Sequence, residues 1–211
     1  MNIERATGLV LRTRPLTDTS LIVQWLTRDF GRLATVAKGA RRPKSPFRGQ
    51  LDLFHLAEFS FARSRRSDLH TLREVRLIES HAALRPELAY VQQASYCAAL
   101  IEQTTETETP LPTLYDHFAG LLRELPAHAP RRATVFAFEI KLLDELGLKP
   151  DLAQTSLSAG SKSVLEKLAA EDWPAIFRLR LSAAQDTEVQ QFLHGFLIYH
   201  LGQLPRARPF V

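Results

Sequence analysis

GRLATVAKGARRPKSPFR, the run from Gly31 to Arg48, sets the reading of the whole chain. Its first seven residues place Leu33, Thr35 and Ala37 on one side and β-branched Val36 near the end, the pattern of a short strand. The remainder carries five cations in eleven residues, Lys38, Arg41, Arg42, Lys44 and Arg48. Gly39, Pro43 and Pro46 keep that part out of helix and regular strand, so it reads as a long cationic connection.

Working outward, the spacing predicts five strands at about 3–13, 20–27, 31–37, 51–60 and 68–77, separated by turn signals such as Arg14-Pro15-Leu16-Thr17-Asp18 and Arg28-Asp29-Phe30-Gly31. In the second strand Leu21, Val23 and Trp25 oppose Ile22 and Leu26, so both of its faces are apolar, as in a small closed barrel. Five short strands with one long basic connection fit a five-stranded OB-type barrel; a sandwich needs about seven. After Pro86 the period becomes helical. Helices are expected at about 88–104, with Val91, Ser95 and Ala98 to Leu100 inward, and across Leu114, Phe118, Leu121, Leu122 and Leu125. Further helices are expected at 132–146, closed by Gly147 and Pro150, at 163–170 from a Ser163/Glu166 capping box, and at 188–201. The fold class is therefore α+β and multidomain, a barrel over 1–79 followed by a helical bundle over 80–211, with the Thr-rich stretch Thr104 to Pro110 as a polar stop between helices.

The 211 residues carry a formal charge of +4, unevenly distributed: residues 1–80 hold +7 and the rest −3. That asymmetry points the N-terminal part at a polyanion. A basic loop can track a phosphodiester backbone, and Arg63-Ser64-Arg65-Arg66 forms a second cationic turn. Phe54, Phe59 and Phe61 read as barrel core, whereas Phe47, inside the basic loop, reads either as core or as a platform for a stacked base. The candidate nucleic-acid-binding set is Lys38, Arg41, Arg42, Lys44, Phe47, Arg48, Arg63, Arg65 and Arg66.

Catalytic and metal patterns are missing. The seven histidines never fall at i, i+4 or beside a thiol, and the single Cys97 lies in an apolar helix, so neither a zinc site nor an activated thiolate is expected. Gly160-Ser161-Lys162-Ser163 lacks the glycine and the Gly-Lys order of a phosphate loop and reads as a loop before a helix. The expectation is a non-catalytic protein with no cofactor, no membrane span and a cytoplasmic location. An RNA-binding adaptor or a protein scaffold with a basic face would fit the same composition.

The runs Gly8-Leu9-Val10-Leu11-Arg12, Asp18-Thr19-Ser20-Leu21-Ile22-Val23, Gly31-Arg32-Leu33 and above all Val36-Ala37-Lys38-Gly39-Ala40-Arg41-Arg42 with Lys44-Ser45 resemble the bacterial RecO family of recombination mediators. Phe138-Glu139-Ile140-Lys141-Leu142-Leu143 with Leu146-Gly147-Leu148-Lys149-Pro150 resembles that family's central helix and its exit, and Tyr199-His200-Leu201-Gly202 with Arg206 and Arg208 its C-terminal signature. The resemblance implies an N-terminal OB-fold and a helical domain that act without catalysis in recombinational DNA repair. It implies binding of single- and double-stranded DNA, annealing of complementary strands, partnership with RecR, and help for RecA in replacing single-stranded DNA-binding protein on gapped DNA. It further implies that the helical domain receives that protein's acidic C-terminal tail, for which Arg131 and Arg132 are candidates. Many members carry a four-cysteine zinc module after the Leu-Gly-x-x-Pro exit; here residues 151–160 contain no cysteine, so the metal is not carried over.

Overall fold

A computed structural model describes residues 3–205 and 208–209. Five strands, β1 (Ile3–Pro15), β2 (Leu21–Thr27), β3 (Gly31–Ala37), β4 (Leu56–Ala62) and β5 (Leu69–Glu79), close into a barrel in the order β1-β2-β3-β5-β4. β1 makes closure possible by pairing with β4 through Ile3–Leu9 and with β2 through Gly8–Pro15. Gly8 sits at that handover, where a Cβ would lie 2.9 Å from the Leu26 carbonyl oxygen. A short parallel pairing, Ala34–Val36 of β3 with Leu69–Thr71 of β5, completes the ring.

The barrel interior is filled by Val10, Val23, Trp25, Leu33, Phe59, Phe61 and Leu72. Trp25 stacks on Phe59 with ring centroids 4.1 Å apart, and its indole N–H donates to Thr35 Oγ1 at 2.8 Å, so the one polar atom of the largest core residue is satisfied. The fourth strand begins at Leu56, later than the expected 51. Leu51 and Phe54 instead belong to turns that close one end of the barrel: Phe54 takes a left-handed φ of 64°, and the ladder bonds Phe54 N–H to Val10 O (2.8 Å) and Val10 N–H to His55 O (2.9 Å) seat it against β1.

The helices are α1 (Leu88–Thr104), α2 (Pro112–Glu124), α3 (Arg132–Glu145), α4 (Ala159–Ala170), α5 (Trp173–Arg178) and α6 (Ala183–Leu201). The buried side of α1 runs through Gln93, Ala94, Tyr96, Cys97, Ala98, Leu100 and Ile101, one position off the face expected from Val91 and Ser95. α3 is buried on all sides from Ala133 to Leu143, including two charged residues. Lys141 donates through Nζ to the Ala169 and Glu171 carbonyls, both at 2.8 Å, closing the C-terminal end of α4 with positive charge. Burial pulls its pKa down, with Asp144, Asp172 and Glu171 opposing. Glu139, fully buried, meets Arg208 at 2.7 and 2.9 Å and accepts from the Tyr96 hydroxyl at 2.6 Å. Arg206, named with Arg208 in the C-terminal signature, lies outside the described residues.

α4 begins at Ala159, four residues before the expected Ser163 cap. Ser158 is the actual cap, its hydroxyl accepting from Ser161 N–H, and Glu188 bonds Ser158 N–H at 2.7 Å and the Ser158 hydroxyl at 2.6 Å. The Ser158 and Ser161 hydroxyls hold the Glu188 carboxyl below its usual pKa. Gly160-Ser161-Lys162-Ser163 is thus the first turn of a helix whose terminus already has an anion. α6 likewise starts earlier than expected, at Ala183, behind a Ser182/Gln185 capping box.

The chain divides into two compact units, Met1–Ala83 with Thr105–Asp116, and Leu84–Thr104 with His117–Val211. The polar stop between the first two helices thus groups with the barrel. Glu108 N–H donates to the Arg32 carbonyl at 2.9 Å, and Thr107 bridges Arg32 in parallel. Gly31, at φ +67°, leaves room for this crossing, since a Cβ there would fall 2.1 Å from the Thr109 carbonyl oxygen.

Candidate nucleic-acid interface

The connection between β3 and β4 is irregular but heavily bonded. Successive turns link Ala40 N–H to Ala37 O, Arg42 to Gly39, Ser45 to Arg42, Arg48 to Ser45 and Gln50 to Phe47, at 3.0 to 3.3 Å. Gly39 supplies the left-handed residue at its start, with φ +72°. Arg41 ties the segment to the β1–β2 loop, its backbone N–H donating to Thr19 O at 3.0 Å and its guanidinium to Thr17 O at 3.2 Å. Phe47 and Leu51, each 7% exposed, anchor the far end in the barrel core.

Phe47 is therefore corrected from the candidate set: its ring is packing and cannot stack on a base without vacating the core. The five cations behave differently. Lys38, Arg41, Arg42, Lys44 and Arg48 are all exposed, and among the described residues none is paired with a carboxylate. Geometry thus gives an ordered, cation-bearing platform whose charges are left to solvent or to an external anion. The sequence reading passed over Arg14, which is exposed at the end of β1. Register sets Pro15 against Leu21 and Leu21 against Ala37, so this end of β1 lies two strands, about 10 Å, from the start of the platform. The usable signal was the Arg12-Thr13-Arg14 alternation, which puts both arginines on one side of the strand.

The second cationic turn splits. Arg65 and Arg66 are exposed, but Arg63 is not free: its Nε and Nη2 donate to Glu4 at 2.7 and 3.0 Å, and Nη1 to Glu108. The hydrogen bond to Glu4 is the main cause that raises the Arg63 pKa, and Arg63 in turn holds Glu4 below the usual carboxylate range. Arg63 is thus a structural member of the turn, bonded to Glu4 and Glu108, while Arg65 and Arg66 carry its exposed charges. Arg131 and Arg132 are also engaged internally, with the Leu179 carbonyl at 2.8 Å and with Asp186 at 3.1 Å and Gln190 at 2.6 Å.

A groove of about 550 Å³ across β1, β4 and β5 is lined by Arg5, Glu58, Glu74 and Arg76, among others, but Arg76 is paired with Glu58 at 2.7 Å and the lining is mixed in sign. Residues 151–160, where the resemblance would put a zinc module, form a turn at Leu152–Gln154 capped by the Asp151 side chain and run into the start of α4; without thiols they do not fit a zinc ion. No helix among the described residues is long and apolar enough to cross a membrane.

Comparison with known proteins agrees with this architecture. Residues 1–81 match the family described as Recombination protein O N terminal, and residues 87–158 the family described as Recombination protein O C terminal. The chain belongs to the RecO family. Its barrel is accordingly the OB-fold of the RecO N-terminal domain. Similar RecO proteins, each named DNA repair protein RecO, include one from Exiguobacterium sibiricum, 32% identical over 150 residues that cover 71% of this chain and 59% of that protein. One from Listeria monocytogenes is 29% identical over 74% of this chain and 60% of its own length. One from Anaeromyxobacter dehalogenans is 29% identical over 100% of this chain and 96% of its own. The chain thus spans about three fifths of the first two relatives and nearly all of the third.

Proposed function

We propose that this RecO-family chain binds single- and double-stranded DNA through the phosphate backbone, anneals complementary strands and takes part, with RecR, in loading RecA onto gapped DNA covered by single-stranded DNA-binding protein. The observation that carries the reading is the platform of Lys38, Arg41, Arg42, Lys44 and Arg48, exposed and without intramolecular ion pairs among the described residues. Two DNA strands repel each other. A protein that offers several cations on an ordered surface releases counterions from each strand and holds both at high effective concentration. Because phosphate contacts position but do not specify, the base edges stay available and pairing itself supplies the sequence selectivity. No bond is made or broken by the protein. The acidic tail of single-stranded DNA-binding protein is assigned to the helical unit without Arg131 and Arg132 as its free cations, since both are already bonded.

The test is fluorescence anisotropy with single-stranded DNA, duplex and RNA across a salt series. Changing Arg41, Arg42 and Lys44 together to Ala is expected to weaken single-stranded binding of all sequences alike and to lower the salt slope by about 2, at ~0.7 per lost phosphate contact. An affinity that is insensitive to salt in the parent chain, or an unchanged slope in the triple variant, refutes the proposal. Tighter binding of RNA than of either DNA would move the assignment to RNA.

A further inference from the structure

A chain of bonds runs from the segment between α1 and α2 into the second cationic turn. Glu108 takes a left-handed φ of 57°, a conformation that a non-glycine residue keeps only when its surroundings over-determine it. Here they do: its N–H donates to Arg32 O at 2.9 Å, while Arg32 in turn donates to the Thr105 hydroxyl at 2.8 Å and to the Thr105 carbonyl. The Glu108 carboxylate is thereby aimed at the barrel. One oxygen accepts from Arg63, and the other lies 2.7 Å from Nε2 of His70, a residue 1% exposed and stacked on Phe61 with centroids 5.3 Å apart.

The other ring nitrogen of His70 accepts from Ser64 N–H at 3.3 Å. Nδ1 is therefore the unprotonated nitrogen, and the proton on Nε2 points at Glu108. Ser64 passes the constraint on: its hydroxyl accepts from Arg66 N–H at 3.3 Å and lies 3.3 Å from the Ser67 hydroxyl, which donates to Leu69 O at 3.4 Å. The turn is thus tied through Ser64 and His70 to Glu108, 38 residues away, and through Arg63 to two carboxylates, Glu108 and Glu4, 45 and 59 residues away. Exposed turns of Ser, Arg and Asp have little order of their own, and a turn ordered in advance loses less freedom on binding.

We propose that Glu108 is a positioning residue for nucleic acid: by holding His70, and by sharing Arg63 with Glu4, it fixes the 63–68 turn so that Arg65 and Arg66 meet two phosphates, making the segment between the first two helices part of the DNA-binding unit. This rests on the DNA-binding function proposed above. Its sign separates it from simple electrostatics. Removing a carboxylate near a DNA surface should strengthen binding if Glu108 acts only through its charge, whereas losing the preordered turn weakens it.

The test is the same anisotropy titration with Glu108→Ala, Glu108→Gln and the double change Arg65→Ala/Arg66→Ala. At ~0.7 per phosphate, loss of two contacts lowers the single-strand salt slope by about 1.4 and the affinity at 0.1 M salt by about 25-fold. Glu108→Ala is expected to reproduce that loss. The Arg65/Arg66 changes made on top of it should add nothing, while the Arg41/Arg42/Lys44 changes should add their full effect. Glu108→Gln, whose amide oxygen still accepts from His70, should restore most of the binding. If Glu108→Ala leaves too little folded barrel by circular dichroism, Ser64→Ala tests the same chain further along and should shift slope and affinity in the same direction. Binding by these variants that equals or exceeds the parent, or losses that add to those of Arg65 and Arg66, overturns the inference. A parent chain that shows no salt-dependent binding fails at the earlier step, the proposed function itself.

Discussion

Replacing Arg208 by Ala removes the cation that, among the described residues, is bonded to a carboxylate fully buried in the helical unit. Glu139 has 0% side-chain exposure and Arg208 6%, and their two hydrogen bonds are 2.7 and 2.9 Å long. Breaking such a pair from one side costs about 3–5 kcal/mol, because the remaining charge is neither solvated nor paired. The Tyr96 hydroxyl, 2.6 Å from the same carboxylate, stays in place and holds the expected loss near the lower end, about 3 kcal/mol. For a unit of this size that corresponds to a fall of about 10 °C in the helical melting midpoint followed at 222 nm.

The loss should depend on pH with a definite sign. Burial raises the Glu139 pKa above 4.5, with Arg208 the largest opposing influence, so taking Arg208 away raises it further. A carboxyl whose folded pKa lies above the unfolded value favours the folded state below the unfolded value and loses that advantage as pH rises through the folded one. Arg208→Ala should therefore approach the parent in stability at pH 5 and fall furthest below it at pH 8. Adding Glu139→Gln to Arg208→Ala should recover part of the loss, since no buried charge is then stranded. Equal destabilisation at both pH values, or a double variant as unstable as the two single losses summed, would refute the reasoning.

Phe47→Ala should destabilise the barrel by about 3–5 kcal/mol, measured by urea unfolding, whereas Phe47→Leu keeps the barrel folded and binds DNA like the parent, as packing rather than stacking requires. Gly31→Ala puts a Cβ 2.1 Å from the Thr109 carbonyl oxygen at a positive φ and should release the 105–109 segment, read as faster amide exchange at Glu108. Thr35→Val strands the buried Trp25 indole N–H at a cost of about 1–3 kcal/mol, read from thermal unfolding with a shift in Trp fluorescence.

Much of this molecule is written locally. Val23, Trp25, Leu33, Phe59 and Phe61 announce a barrel by composition and alternation, and the five unpaired cations are contiguous enough to be seen in one loop. What escaped the sequence is nonlocal. Nothing beside Phe47 tells that its ring turns inward while its neighbours turn out, and nothing near Arg63 shows that Glu4 and Glu108 will claim it from 59 and 45 residues away. β4 starts later than its apolar run suggests because Leu51 and Phe54 are apolar like strand residues but serve as a floor, with Phe54 at a positive φ that its residue type does not advertise. Glu139 and Lys141 lie in an α3 that is buried on all sides, and their partners, Arg208 and the end of α4, arrive from 69 and 28 to 30 residues away.

The double duty of β1 carries a consequence for behaviour in a crowd. Because Ile3–Leu9 and Gly8–Pro15 hydrogen-bond to different neighbours and β3 meets β5, each strand of the described barrel pairs on both sides and the sheet closes on itself. Were the proposed DNA binding to line copies up closely along one strand, open sheets at such local concentrations would zip together and precipitate. A ring without a free margin gives them no edge on which to do so.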